Sequence, residues 1–318
     1  MKIVLVQPMD DDLVARVKGI APSAEVVVTE RDEAESAVPD AEVLYGLFKS
    51  EIVGAAPGLK WIQSTGAGVD SSLLAALADR DILLTNASGI HGIQVAEHAW
   101  ALTSALFRGL NVFFRNQLEH KWQRAPLVDL HGATVGIVGL GGIGRRYAER
   151  ARGFQMRILA ADIQVGEKPD CVDALWGIDR LDGLLEEADV VFIACPHTPE
   201  TDKLIDARAL SLMKRTAFLV NTARGSIVDQ AALIQALEDG EIAGAGLDVF
   251  EQEPLPKDSP LWDMENVIIT THAGGSSSYR QRRLADFFCE NLERYVAGKP
   301  LLNEVDRSIG YPRLDKRA

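Results

Sequence analysis

The sequence predicts an α/β fold of two doubly wound parallel sheets, and three observations carry that prediction. Short β-branched runs alternate with amphipathic stretches almost from end to end, the pattern of βαβ units. A long helical stretch without proline interrupts the alternation near residue 100, and a second series of strands begins after it. The chain has 318 residues, room for about two domains with a core each.

The first series comprises Ile3 to Val6, Val26 to Val28, Val43 to Tyr45, Trp61 to Ser64 and Ile82 to Thr85. Its opening run is ended by Gln7, Pro8 and acids, too short for a signal-peptide core or a membrane span. From His91 to Leu110, Ile93, Ala96, Trp100, Thr103 and Phe107 recur at helical spacing and predict one buried stripe. A second helical stretch, Val112 to Trp122, precedes a loop containing Pro126. The second series follows: Thr134 to Val138, Arg157 to Ala161, Val190 to Ala194, Phe218 to Asn221, Gly246 to Val249 and Val267 to Thr270. A last helix, Ser277 to Val296, carries Leu284, Phe288, Leu292 and Tyr295 on one face and ends before Gly298 and Pro300.

Composition narrows the function. The chain is 47% hydrophobic and 25% charged, which argues against disordered, collagenous and coiled-coil classes. Its net charge of −13, with no block rich in Lys or Arg, argues against nucleic acid as a partner. An anionic substrate would have to meet a local cationic site. Cys171, Cys195 and Cys289 are widely spaced and odd in number, so neither a disulfide framework nor a metal site is suggested, and a reducing cytoplasm is expected.

Residues Thr134 to Gly144 read TVGIVGLGGIG, which places Gly139, Gly141 and Gly144 in a G-x-G-x-x-G turn between strand and helix. Small residues are needed there for a tight turn, for close approach to a pyrophosphate and for strand–helix packing; the helix N-terminus then presents N–H groups. The next strand ends at Asp162, where a carboxylate can accept from both ribose hydroxyls of an adenosine. Ile163 and Gln164 offer no cation to a 2′-phosphate, so NAD is favoured over NADP, although Lys168 is near in sequence.

Three polar residues follow later strands: Arg224 in LVNTARGSIVD, Glu253 in LDVFEQEPLP and His272 in VIITTHAGG. Reduction of a 2-oxo acid needs a cation for the carboxylate, a proton donor for the ketone oxygen and a hydride source. The fork of Arg224 suits the first, and His272 the second. Glu253 beside His272 would favour its protonated form and fix its tautomer, a tuning role. Singly, each has an ordinary alternative: a surface ion pair, a satisfied structural histidine, a solvated loop glutamate. Their joint arrival downstream of a dinucleotide turn favours function.

On these motifs, and above all on HTPETDKLIDARALSLMKRTAFLVNTARGSIVDQAALIQALEDGEIAGAGLDVFEQEPLP from His197 to Pro256, the chain resembles the D-2-hydroxyacid dehydrogenase family along nearly its whole length. The resemblance implies a flavodoxin-like substrate domain (1–98 plus 287–318), a Rossmann NAD-binding domain (99–286), a cleft that closes on substrate, and a homodimer. It implies that Arg224 binds the carboxylate and polarises the carbonyl, that His272 is the acid and base, and that Glu253 pairs with it. It further implies that Ala67 and Gly68, in WIQSTGAGVD, hold the substrate carboxylate through backbone N–H groups. Gly142 and Ile143 would face the pyrophosphate, and Cys195 and Pro196 the adenine side. Thr222, Ala223 and Asp248 would line the nicotinamide side, with Thr201 and Gly274 also among the cofactor contacts. Cys195 is expected to be inert, and His98, in VAEHAW, reads as structural. His91 and His197 stand near the expected ligands without a motif that assigns them a role.

The likeness has departures. Thr271 stands where the family usually has Pro, which predicts a less fixed backbone before His272, and His197 replaces a commonly apolar residue. Small acids such as glyoxylate or hydroxypyruvate are the expected substrates. A formate-type enzyme would carry Gln in place of Glu253, and a phosphoglycerate dehydrogenase with a regulatory domain would run longer. Phosphite oxidation within the same fold and an NAD(H)-responsive, corepressor-like scaffold remain as rival readings.

Overall fold

The computed structural model describes residues 1–47, 50–69, 71–308 and 310–312; Asp70 of the WIQSTGAGVD motif and the tail 313–318 lie outside the described residues. The β-branched runs form two parallel sheets in two units, Met1–His91 with Ser277–Ala318 and Gly92–Ser276.

In the first unit, β1 (Lys2–Val6), β2 (Glu25–Thr29), β3 (Val43–Gly46), β4 (Trp61–Ser64) and β5 (Leu83–Thr85) are ordered β2-β1-β3-β4-β5, the flavodoxin-like order. Every residue of β3 and β4 is buried, as expected of parallel strands covered on both faces. The C-terminal helix Arg280–Val296 returns to this unit because Leu284, Phe288 and Leu292 form one apolar row. Phe288 lies 4.7 Å from the Tyr45 ring and 5.4 Å from Trp61.

In the second unit the strands are β6 (Thr134–Val138), β7 (Arg157–Asp162), β8 (Ala174–Gly177), β9 (Val190–Ile193), β10 (Phe218–Asn221), β11 (Gly244–Leu247) and β12 (Val267–Ile269). Their order is β12-β11-β10-β9-β6-β7-β8, all parallel, so the chain moves outward from β6 first on one side and then on the other. This is the Rossmann arrangement with one further strand, and ligands of such sheets bind at the carboxyl ends beside the reversal. Leu102, Leu106 and Phe107 of the helix Gly92–Phe107 share a core with Ile137, Tyr147 and Phe192.

The structure corrects several expectations. The unit boundaries precede the helices Gly92–Phe107 and Arg280–Val296, whereas divisions at 98/99 and 286/287 would cut both. The first of these helices buries Val95, Ala99, Leu102 and Leu106 as well, while Ile93 and Trp100 are only half-buried, because it is covered over more than one stripe. The second helical stretch is Leu110–Leu118; the chain leaves the helix where His120 takes a left-handed φ of 55°. β8 was not foreseen: it is a four-residue, half-buried edge strand whose sequence ALWG carries little β-branched signal. Among the described residues no helix is long and apolar enough to cross a membrane.

Candidate active site

The glycine turn is set by sterics. Gly139 has φ 96°, and a Cβ there would lie 2.6 Å from the Cys195 N; a Cβ on Gly144 would overlap the Gly139 carbonyl oxygen. Gly141 caps the helix Gly142–Gly153, so Gly142, Ile143 and Gly144 form its first turn, where N–H groups lack helical partners. Asp162 ties the turn to the end of β7: Oδ2 accepts from the Leu140 N at 2.6 Å and Oδ1 from the Gln164 N at 2.8 Å. Each oxygen retains a lone pair for a further donor. Arg145, which sequence reasoning passed over, steadies the same turn by donating from Nε to the Leu140 carbonyl at 3.2 Å. Lys168 is engaged elsewhere, on the Val172 carbonyl at 2.7 Å, and Ile163 and Val165 are exposed.

Cys195 and Pro196 follow β9, and burial pushes the Cys195 thiol up to about 12, leaving it protonated at neutral pH. The Thr201 hydroxyl is occupied within its own loop, donating to the Pro196 carbonyl at 2.8 Å and accepting from the Thr198 N at 2.7 Å. Thr201 therefore shapes this loop. His197 pairs with Asp202 at 2.9 Å. The Thr222 hydroxyl is buried without a partner among the described residues, and Ala223 beside it donates its N–H to Asn221 Oδ1 at 3.0 Å.

Arg224, Glu253 and His272 come after β10, β11 and β12, three adjacent parallel strands, and so emerge at the same end of the sheet as the glycine turn and Asp162. Gly225 permits the first two loops to meet: a Cβ there would overlap the backbone of Phe250 and Glu251. Arg224 is exposed, donates from one terminal nitrogen to the Ala223 carbonyl at 2.6 Å, and forms no ion pair with a described carboxylate. His272 Nδ1 donates to Glu253 Oε2 at 2.7 Å, and Glu253 Oε1 accepts from the Phe250 N at 3.1 Å. The glutamate thus fixes the ring and leaves Nε2 outward.

His272 has a left-handed φ of 54°, which costs a non-glycine residue about 1–2 kcal/mol. Asp248 holds it there. The Asp248 carbonyl accepts from the His272 N at 2.7 Å, and its carboxylate accepts from the N–H groups of Ala273 and Gly274, both at 2.8 Å. Where the family usually has Pro, the backbone after Thr271 is tied by these hydrogen bonds to Asp248. Thr270 Oγ1 donates to the same carboxylate at 2.6 Å, and His98 Nε2 lies 2.8 Å from that hydroxyl. Burial raises the Asp248 carboxyl, but hydrogen bonds from His98, Thr270, Gly274 and Ala273 outweigh it and hold it down at about 2.

In the other unit the turn carrying Ala67 and Gly68 is lashed in place. The Ala67 carbonyl accepts from Asn86 Nδ2 at 2.6 Å and from Ser88 Oγ at 3.1 Å, and the Gly66 carbonyl from the Ala87 N at 2.8 Å. His91, buried, donates from Nε2 to the Thr65 carbonyl at 3.0 Å, and burial first, then Arg280 and Arg283, lowers its pKa. Neither Ala67 nor Gly68 donates its N–H to a described group.

Residues 100–274 match the family described as D-isomer specific 2-hydroxyacid dehydrogenase, NAD binding domain. The chain is 39% identical over 304 residues to a glyoxylate reductase of Korarchaeum cryptofilum, covering 92% of this chain and 89% of that one. It is similar to the crystal structure of a D-isomer specific 2-hydroxyacid dehydrogenase from Xanthobacter autotrophicus in complex with NADPH and MES, with a TM-score of 0.84 and 30% identity over 98% of this chain and 99% of that chain. An NAD-dependent formate dehydrogenase from Staphylococcus aureus in complex with NAD gives a TM-score of 0.75 and 28% identity over 95% and 97%.

Proposed function

The chain belongs to the D-isomer-specific 2-hydroxyacid dehydrogenases, NAD-dependent enzymes, and from that premise we propose that it reduces a small 2-oxo acid, glyoxylate or hydroxypyruvate, to the 2-hydroxy acid. Likeness to a glyoxylate reductase and, at 36% identity over 264 residues, to a glycerate dehydrogenase of Methylorubrum extorquens supports that substrate class. The observation that carries the reading is the emergence of Arg224, Glu253 and His272 from adjacent strands at the dinucleotide end of one sheet.

The residues fit a dinucleotide. Gly139 and Gly144 keep the strand–helix turn tight, the first turn of Gly142–Gly153 offers N–H groups, and the Thr222 hydroxyl lacks a partner among the described residues that a polar ligand would supply. Asp162 would hold the ribose, and Gly142, Ile143, Cys195, Pro196, Ala223 and Gly274 would line the cofactor. When bound, nicotinamide supplies the hydride. Arg224 grips the substrate carboxylate and draws electron density from the neighbouring carbonyl oxygen. In the unit that begins at Met1, the backbone N–H groups of Ala67 and Gly68 are the proposed donors to a carboxylate. His272 delivers the proton from Nε2 to the carbonyl oxygen, and takes it back in the oxidative direction, while Glu253 holds Nδ1–H and hence the tautomer. Asp248 and Thr201 act by shaping the loops.

The chain further pairs as a homodimer in this reading: the helix Leu110–Leu118 buries none of its residues, and Phe114, Leu118 and Trp122 are exposed together.

The test is a panel of 2-oxo acids with NADH, run on the wild type and on His272→Gln. The wild type oxidises NADH with at least one small 2-oxo acid, and the variant loses about 10²-fold or more in kcat while its NADH affinity stays within about threefold. Cofactor binding without turnover on any 2-oxo acid would favour the scaffold reading instead.

A further inference from the structure

The hydrogen-bond pattern behind His272 assigns a role to a residue with no place in the chemistry above. His98 lies midway along the helix Gly92–Phe107, and its Nε2 is 2.8 Å from Thr270 Oγ1 and 3.3 Å from Asp248 Oδ1. Thr270 gives its single hydroxyl proton to Asp248 Oδ1, so its oxygen can only accept from the ring. His98 Nε2 therefore carries a proton and donates. The Asp248 side chain is 1% exposed and in reach of no solvent that could replace this donor. Its two oxygens take different backbone groups, Oδ1 the Ala273 N and Oδ2 the Gly274 N. A rotation of the carboxylate would release one or both. Gly274 leaves no slack either: a Cβ there would come within 2.9 Å of Asp248 Oδ2 and 3.4 Å of the His98 ring.

We propose that His98 is a positioning residue for His272: through the Thr270 hydroxyl it sets the rotation of the Asp248 carboxylate, which pins the backbone N–H groups of residues 273 and 274 directly after His272 and so aims the imidazole. The inference rests on the acid–base role proposed for His272. Displacing a reacting group by about 1 Å from outside the chemistry can lower turnover about 10²-fold, and this is the loss the strut prevents.

The experiment uses the full-length protein with three substitutions: His98→Leu, which removes the donor; His98→Gln, whose side-chain amide can still donate; and Thr270→Val, which removes the relay hydroxyl at nearly constant shape. Amide hydrogen exchange of a peptide spanning residues 270–276 reads the pinned turn without any turnover. His98→Leu and Thr270→Val speed exchange of that peptide about tenfold or more, and His98→Gln restores most of the protection. In parallel, the first two lower kcat about 10- to 100-fold while KM for the 2-oxo acid and the Kd for NADH stay within about threefold. The proposal is overturned if His98→Leu and Thr270→Val leave exchange as in the wild type, if His98→Gln is as impaired as His98→Leu, or if NADH affinity falls in step with kcat. A His272→Gln variant that keeps full turnover would sink the acid–base reading alone, since the exchange result is independent of it.

Discussion

Asp248 and Asp162 show how differently two carboxylates at strand ends are used. Asp248 is buried and its pKa is held at about 2, below the ordinary 3.8, so its stabilising contribution is fully present above about pH 4 and is lost as pH falls toward 2. At neutral pH that contribution is about 2 kcal/mol. Asp248→Asn should flatten the acid limb of stability between about pH 4 and pH 2 relative to the wild type; urea midpoints measured across that range check it, and parallel limbs would contradict it. Asp162 accepts from two backbone N–H groups and Lys168 is turned to the Val172 carbonyl, so on the proposed ribose placement a 2′-phosphate would meet a negative charge with no help from Lys168. Wild-type kcat/KM should favour NADH over NADPH by about tenfold or more, and Asp162→Ala should narrow the ratio; equal use of both by the wild type would refute the argument. The acid was legible in the sequence because it ends a strand after a glycine turn. The anchoring role of Asp248 was not: it depends on contacts between segments about 25 residues apart and on a positive φ that no residue type at 272 announces.

At the scale of elements, the parallel strands were legible because burial on both faces leaves continuous β-branched runs, as in TVGIV and VVFI, where every residue is buried. Edges were less so. β8 is half-buried, and the helix after Gly109 stops earlier than its pattern because His120 turns left-handed. The meeting of the loops after β10 and β11 was also hidden, since a glycine's reason is its neighbour in space. Gly225→Ala would drive a methyl into the Phe250 backbone and part the loops bearing Arg224 and Glu253. The expected cost is about 1–3 kcal/mol in stability, with kcat/KM lower by about 10²-fold. Denaturant unfolding and steady-state kinetics on the same preparation check both; unchanged kinetics would show that the two loops need not touch.

For the whole molecule, a net charge of −13 means that an anionic substrate has to be drawn by a local cation, the part the proposed function gives to Arg224. Phe114, Leu118 and Trp122 are among the most exposed large apolar side chains of the described residues, at 60%, 81% and 106%. On the proposed homodimer, Trp122→Glu together with Phe114→Glu should shift the protein from dimer to monomer in sedimentation velocity; a wild type that sediments as a monomer would remove the dimer from the account. The two-unit architecture was readable from alternation and length, whereas its boundaries were not, because helices joining α/β units carry the same periodicity on either side of a division. The most direct test is a single-turnover experiment with enzyme and NADH in excess over glyoxylate or hydroxypyruvate. The wild type should consume one NADH per 2-oxo acid, and His272→Gln should do so about 10²-fold or more slowly with NADH equally bound. Equal rates in the two proteins would contradict the assignment of the proton donor.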